Sequence, residues 1–218
     1  MYAVHGVISV AVSAGGWVVP PMRALWIAAG VEHSLSMQGR VDMRTLYFRP
    51  DVAPKMADAC CVIEVPPLLR ELIVHVVSLG GLDRSTTSSR ALFRVLVEQL
   101  QVVPERPLSL PMPKDVRARR VAEAVLLSPG GSASLKELVR KSGASPRTTE
   151  RIFLSQTGMP FGRWRQHARL HEAIRLLGQG EPVAAVATQV GYSSASAFAA
   201  AFGKCFGRTP TQYYRRKL

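Results

Sequence analysis

The sequence predicts an α+β chain, with a strand-rich front of about fifty residues and a back half that is almost entirely helical. Three observations carry this. Apolar residues alternate with period two near the N-terminus. From about residue 114 they recur at helical spacing between capping signals. The helical half also contains one pattern twice. With 218 residues, 47% of them apolar, the chain can bury one large core or two small ones.

The front opens with Val4, Gly6, Ile8, Val10 and Val12 in one phase of a strand. Trp17-Val18-Val19 follows the Gly15-Gly16 turn, and Pro20-Pro21 interrupts the run. Leu25-Trp26-Ile27 and Thr45-Leu46-Tyr47-Phe48 read as further short strands. Short strands between Gly and Pro turns suggest a sandwich or small barrel. Past Pro54 the pattern changes. Pro66-Pro67 opens a helix over Leu68 to Leu79, stopped by Gly80-Gly81, and a second fits Ser88 to Val102. Val103 to Pro113 holds four prolines and reads as a linker.

The back half reads as helix after helix. Asp115 to Leu127 is the first. Ser134-Leu135-Lys136-Glu137 has the spacing of a capping box and opens a helix ending near Ser142-Gly143. Ser145-Pro146 sets a cap and a first-turn proline for a helix that stops at Gly158. Phe161 to Leu177 is a long helix of roughly 25 Å at 1.5 Å per residue. Pro182 opens another, ending at Gly191. Ser193 or Ser194 caps the next, which ends at Gly207, and Pro210 to Arg216 is a final turn.

Within this half a helical hairpin occurs twice. Leu135, Leu138 and Val139 share one helical face before the Gly143 turn. Val183, Val186, Ala187 and Val190 share one before Gly191. Ser145 or Ser194 then caps a helix that closes as Phe153 to Gly158, or as Phe202 to Gly207, with Pro160 or Pro210 beyond. A short helix packed on a second, with a tight glycine turn between them and a phenylalanine anchoring the second, leaves the opposite face of that second helix free. Such a free face can enter a DNA major groove.

Charge agrees. Residues 1–110 carry 10 Lys and Arg against 9 Asp and Glu, a net of +1; residues 111–218 carry 18 against 6, a net of +12. A basic domain of this size favours a polyanion, nucleic acid before an anionic membrane surface. No apolar run approaches a membrane span; Leu68 to Leu79 is interrupted by Arg70, Glu71 and His75. Secretory signal features are absent from the N-terminal sequence. Cys60, Cys61 and Cys205 fit no CxxC spacing and read as reduced, small apolar side chains in a cytoplasmic protein.

At the duplicated hairpins the sequence resembles the AraC/XylS family of bacterial transcription regulators, over about Ala133 to Arg216. The likeness rests on Arg169-Leu170, Ala173 and Leu176-Leu177 in the long helix. It continues through Val186-Ala187, Gly191-Tyr192-Ser193, Phe198, Phe202, Gly207, Thr209-Pro210 and Tyr213. The resemblance implies seven helices and two recognition helices docking in successive major grooves on one face of DNA.

Resemblance and helix geometry together nominate contacts. Arg147, Glu150 and Arg151 fall at i, i+3 and i+4 of the first recognition helix. The arginines suit guanine edges, and Glu150 suits a cytosine amine or a role in holding the arginines. In the second recognition helix the outward positions are Ala195, Ser196, Ala199 and Ala200, suited to little beyond a thymine methyl or a backbone oxygen. Ala195, Ser196 and Ala200 are its candidate base contacts. The first unit is thus expected to supply most direct readout and the second mainly to clamp the backbone. Candidate phosphate contacts are Ser145, Thr148, Arg163, Arg165, Ser194, Lys204 and Arg208, with the tail Arg215-Arg216-Lys217. Trp164 and Phe161 read as core.

Tyr2 to Pro50 resembles part of a cupin-like barrel, which in many members of the family senses a small molecule. Gly30-Val31-Glu32-His33 is similar to the second cupin motif, although Ala28 stands where that motif has proline and no His-x-His cluster precedes it. Trp26 and His33 are candidate ligand contacts. His5 and His33 alone are too few for a metal, so no metal and no cofactor are expected. Fifty residues are few for a closed eight-stranded barrel. A trimmed barrel or an N-terminally shortened chain is therefore expected, with an open sheet edge that favours dimers or aggregation.

The expected fold is thus a partial cupin-like β-barrel followed by an all-α DNA-binding domain with two helix-turn-helix units. Residues 1–55 form the partial sensor domain, 56–102 a helical connector or dimerisation region, 103–113 a linker and 114–218 the DNA-binding domain. The expected function is a sequence-specific transcription regulator, not an enzyme, with double-stranded DNA as partner. A small-molecule effector, RNA polymerase and a second copy of the chain are further candidate partners. A cupin-type binding protein or enzyme with a basic helical appendage is the alternative, against which stand the missing histidine cluster and the lack of any nucleophile–base pair. A non-specific nucleic-acid or membrane-surface binder is the third reading.

Overall fold

The computed structural model describes residues 1–21, 23–37, 39–54, 56, 60–83, 85–100 and 108–214. Strands β1 (Tyr2–His5), β2 (Ile8–Val12), β3 (Gly15–Val19), β4 (Arg23–Trp26), β5 (Ser34–Met37), β6 (Asp42–Arg44) and β7 (Cys61–Glu64) come first. Helices α1 (Pro67–Ser78) and α2 (Thr87–Gln99) and strand β8 (Ser109–Pro111) follow. Helices α3 (Val116–Leu127), α4 (Leu135–Leu138), α5 (Pro146–Thr157), α6 (Phe161–Gly178), α7 (Val183–Gln189), α8 (Ala195–Phe206) and α9 (Pro210–Tyr214) complete the order. The chain is α+β. It groups into two compact units, Met1–Ser9 with Val19–Arg106, and Val10–Val18 with Pro107–Leu218.

The first unit is built on an antiparallel sheet in the order β6-β1-β4-β7. Tyr2 stands opposite both Ala24 and Arg44, and Arg23 to Trp26 run against Glu64 to Cys61. Residues two apart share a sheet face, and helix positions four apart share a stripe. Tyr2, Ala24 and Ile63 accordingly meet Leu69 and Ile73 of α1 and Leu96 of α2 in one core. Thr86 opens α2, its hydroxyl accepting from the Ser89 N–H. The sheet is open, with β6 and β7 at its edges, so it is barrel-like without closing.

Three readings of the front are corrected. The alternation from Val4 to Val12 is not one strand. Gly6 sits at φ +79°, and a Cβ there would lie 2.7 Å from the Arg40 carbonyl oxygen, so the chain turns between β1 and β2. Thr45 to Phe48 is not a strand; β6 ends at Arg44. Leu46 and Phe48 are apolar because they pack against the core from irregular chain, Phe48 contacting Trp26 at 5.4 Å and Phe93 at 6.4 Å between ring centroids. Ser109 to Pro111, inside the proline-rich stretch read as linker, forms β8, and Leu108 and Leu110 are buried. Residues 101–107 of that stretch lie outside the described residues.

In the second unit β2, β3 and β8 are neighbours in that order, and β8 runs antiparallel to β3 with Leu110 opposite Gly16. Leu110 enters a core with Ala118, Val121, Ala122 and Val125 of α3, Ile152 and Phe153 of α5, and Phe161, Trp164 and Ala168 of α6. Trp164 is fully buried, and its indole N–H donates to the Pro111 carbonyl at 2.7 Å, which satisfies its one polar atom. Phe153 meets Phe161 and Trp164 edge-on at 5.1 and 5.2 Å. Behind α8, Phe198 and Phe202 are 5.6 Å apart, and Phe202 lies 5.3 Å from Tyr213 of α9. Seven helices, α3 to α9, occupy the described part of this half. Among the described residues no helix is long and apolar enough to cross a membrane.

Candidate nucleic-acid interface

The repeat in the sequence is a repeat in space. Helices α4 and α5 form one hairpin, with a 3₁₀ turn over Val139–Lys141 between them; α7 and α8 form the other. The second helix of each hairpin is 12 residues long. Each begins at a serine whose hydroxyl accepts from the third amide of the helix, Ser145 from Thr148 and Ser194 from Ala197, both at 3.1 Å. Each ends on a glycine in the left-handed region, Gly158 at φ +71° and Gly207 at φ +73°. Each buries its phenylalanine completely, Phe153 in one and Phe202 in the other. The capping box at Ser134 and Glu137 opens α4 with both of its reciprocal bonds in place.

Both helices also present exposed side chains. Arg147, Glu150 and Arg151 are exposed on α5; Ala195, Ser196 and Ala200 are exposed on α8. Thr148, half-buried, shares a hydroxyl–hydroxyl contact of 2.9 Å with Ser145. Arg163, Lys204 and Arg208 are exposed. Ser196, Ala200 and Lys204 follow one another at i+4 and form a single stripe.

Two further nominated side chains, Glu150 and Arg165, have partners on other segments of the fold. One Glu150 carboxylate oxygen accepts from the Phe161 N–H at 3.1 Å, capping the amino end of α6. Arg165 is half-buried and donates to the Ala133 carbonyl at 2.6 Å and to the Gly131 carbonyl. The neighbouring Arg169 donates to the carbonyls of Pro129 at 3.1 Å, Gly131 at 3.1 Å and Gly191 at 3.2 Å. Burial first, and then the charge of Arg169, pull the Arg165 guanidinium below its usual basicity. With Gly162, Gln166 and Tyr192 these arginines line an open basin. Gln156 of α5 reaches back to the chain entering α3, its side-chain oxygen accepting from the Lys114 and Asp115 N–H groups at 2.7 and 3.0 Å.

Sequence reasoning missed the cap made by Glu150, the tether made by Gln156 and the work of Arg169. Arg169 entered the sequence reading only as part of the family likeness; the trace of its work is an i, i+4 arginine pair on an otherwise packed helix, with the Gly130-Gly131 pair upstream. Among the remaining titratable groups, burial and then the nearby charge of Arg163 lower the buried His167, and burial pushes the Cys205 thiol up to about 11. Cys60, Cys61 and Cys205 are half-buried. The tail residues 215–217 lie outside the described residues.

In the first unit, Trp26 is half-buried against Phe48, whereas His33 is exposed and its Nδ1 lies 2.9 Å from the Val31 carbonyl oxygen. The two nominated ligand contacts therefore belong to different surroundings. Among the described residues no group of three or more His, Cys, Asp or Glu side chains gathers in a way that would hold a metal ion.

Comparison with known proteins places this architecture. A family model described as a helix-turn-helix domain matches residues 138–216. The HTH-type transcriptional regulator NimR of Escherichia coli (strain K12) is 33% identical over 214 residues, covering 98% of this chain and 78% of that protein. The arabinose operon regulatory protein of the same organism is 24% identical over 202 residues, covering 90% of this chain and 62% of that protein. A solved transcriptional regulator from Chromobacterium violaceum, described as having an AraC-type DNA-binding domain, aligns with 44% of this chain and 87% of its own at 22% identity and a TM-score of 0.43. Both hairpins fall in regions shared with NimR, and the chain belongs to the AraC/XylS family of DNA-binding, helix-turn-helix transcription regulators.

Proposed function

We propose that the chain recognises a two-part DNA site, reading bases chiefly through α5 and holding the backbone chiefly through α8. The observation that carries this reading is the matched pair of exposed helix faces on one basic half, with Arg147 and Arg151 within the face of α5 and, on that of α8, only Lys204 beyond a run of small side chains. Arg147 and Arg151 are assigned to guanine edges. Ala195, Ser196 and Ala200 are assigned to shallow contacts such as a thymine methyl. Arg163, Lys204 and Arg208 are assigned to phosphates, with the capped amino ends of α5 and α8 at Ser145, Thr148 and Ser194. Glu150 works from within by capping α6. Residues 114–218 are assigned as the DNA-binding part, with 1–55 as a partial sensor, 56–102 as connector and 103–113 as linker. A small-molecule effector at Trp26, a second copy of the chain and RNA polymerase are the further partners of this reading, and the cytoplasm is its compartment.

The test is selection of preferred sites from a random duplex library with the purified full chain, followed by affinities on selected and scrambled DNA. A two-part motif spaced by about one helical turn is expected, with the stronger base preference in the half facing α5. Equal affinity for scrambled DNA would leave a non-specific polyanion binder instead, because phosphate contacts alone give strong, salt-sensitive binding.

A further inference from the structure

We infer that Arg169, supported by Arg165, is a positioning residue that fixes the distance between the two recognition helices and so dictates the half-site spacing the protein accepts. The inference rests on the two-part reading above. It concerns a junction that is not itself a DNA contact.

The two hairpins are joined covalently only through α6 and the short turns at its ends. An 18-residue helix is stiff along its own length, but turns such as Met159-Pro160 and Gln179 to Glu181 absorb angular change. A second connection is therefore needed to hold one hairpin against the other, and α6 supplies it from its side. Arg169 donates to Pro129 and Gly131, in the loop that leads into α4, and to Gly191, in the turn between α7 and α8. One guanidinium thus touches both hairpins. Arg165, one turn earlier on α6, adds bonds to Gly131 and Ala133 of the same loop.

The main chains beneath the clamp are already in contact. A Cβ at Gly130 would lie 1.9 Å from the Gln189 carbonyl oxygen. A Cβ at Gly191, where φ is +82°, would lie 2.6 Å from the Gly130 carbonyl oxygen and 3.0 Å from an Arg169 terminal nitrogen. Only glycine permits this approach on both sides, since any side chain would push the loop and the turn apart. The acceptors lie in three directions around one planar group. Arginine has a fixed fork of five N–H donors for such a task, whereas lysine concentrates its three donors on a single atom.

A fixed distance has a consequence on DNA. Each base pair inserted between half-sites moves the second one by about 3.4 Å and rotates it by roughly 35° at 10–10.5 base pairs per turn. A clamped pair of helices cannot follow both changes, so it must reject altered spacers; an unclamped pair follows by bending at the ends of α6.

Two measurements test this. In the first, the site selected by the wild-type full chain is rebuilt with its spacer shortened by one and lengthened by one or two base pairs. Affinity is measured for wild type, Arg169→Lys and Gly130→Ala. The wild type is expected to lose about tenfold or more per altered spacer, and the variants to keep all spacers within about threefold. Wild-type indifference to spacing, or a variant profile as sharp as wild type's, overturns the inference. A selection that yields one half-motif or none overturns the two-part reading, and the spacing role with it.

The second measurement needs no DNA. In a full chain whose three cysteines are changed to alanine, spin labels at Ser155→Cys on α5 and Ala200→Cys on α8 report the interhelix distance. A narrow distribution that broadens with Arg169→Ala supports the clamp. Equal widths overturn it whatever the DNA experiments give. Thermal unfolding of each variant separates loss of the clamp from loss of fold, and Arg169→Lys keeps the charge and the stem while removing the fork.

Discussion

Helices α5 and α8 share a length, a serine cap, a glycine stop and a buried phenylalanine, and differ in what they offer the solvent. Arg147 and Arg151 stand out from α5; alanines and one serine cover α8 up to Lys204. The contrast separates two demands on a recognition helix. The inward face must match the hairpin, and both copies keep the same frame of cap, buried phenylalanine and stop. Apart from Glu150, which caps α6, the outward face is under no such constraint, so the two copies carry unequal reading capacity on like scaffolds.

The largest effects concern the part that is the same. Phe153→Ala and Phe202→Ala should each destabilise the fold by about 3–5 kcal/mol, because each removes a fully buried ring from an aromatic cluster. Denaturant unfolding checks this, and a large inequality between the two would break the equivalence of the hairpins. Next come the unequal faces. Arg147→Ala is expected to cost about 1–3 kcal/mol on the selected site and to relax base preference there; an equal loss on every sequence would make it a phosphate contact. The corresponding change on α8, Ser196→Ala, is expected to cost well under about 1 kcal/mol in the same titration. Lys204→Ala should leave base preference unchanged and reduce the slope of log affinity against log salt by about 1.

The smallest effect is on stability against pH. His167 has its folded pKa below the ordinary 6.5, so the unfolded chain binds the proton more readily. The neutral imidazole's contribution is present above pH 6.5 and is lost as pH falls through that value toward the folded pKa. Thermal midpoints between pH 7.5 and 5 should fall less steeply in His167→Gln than in wild type.

What could be read in advance followed the range of the interactions involved. Helices α3 to α9 were legible because caps, helix-starting prolines and stop glycines act within a few residues. The exposed arginines of α5 were legible from their i, i+3, i+4 spacing. The strands were less so. The β7 and β8 segments become strands by pairing with β4 and β3, far along the chain, and three or four residues carry little period of their own. Leu46 and Phe48 resemble strand residues although their apolarity serves packing from irregular chain. The acceptors of the Arg169 clamp had no signature of their own, because they are main-chain carbonyls, which every residue type presents alike.

The bond from Glu150 to the Phe161 N–H limits how such a protein can change its DNA preference. Arg147 and Arg151 can mutate one at a time, each new side chain offering selection a new specificity at little cost to the fold. Glu150 lies beside them and is also exposed, but a replacement without a side-chain oxygen of the same reach leaves the first amide of α6 without that acceptor. A lineage drifting toward a new operator is therefore free at two positions of this helix and tethered at the third, and its accessible vocabulary is narrower than the number of exposed side chains suggests.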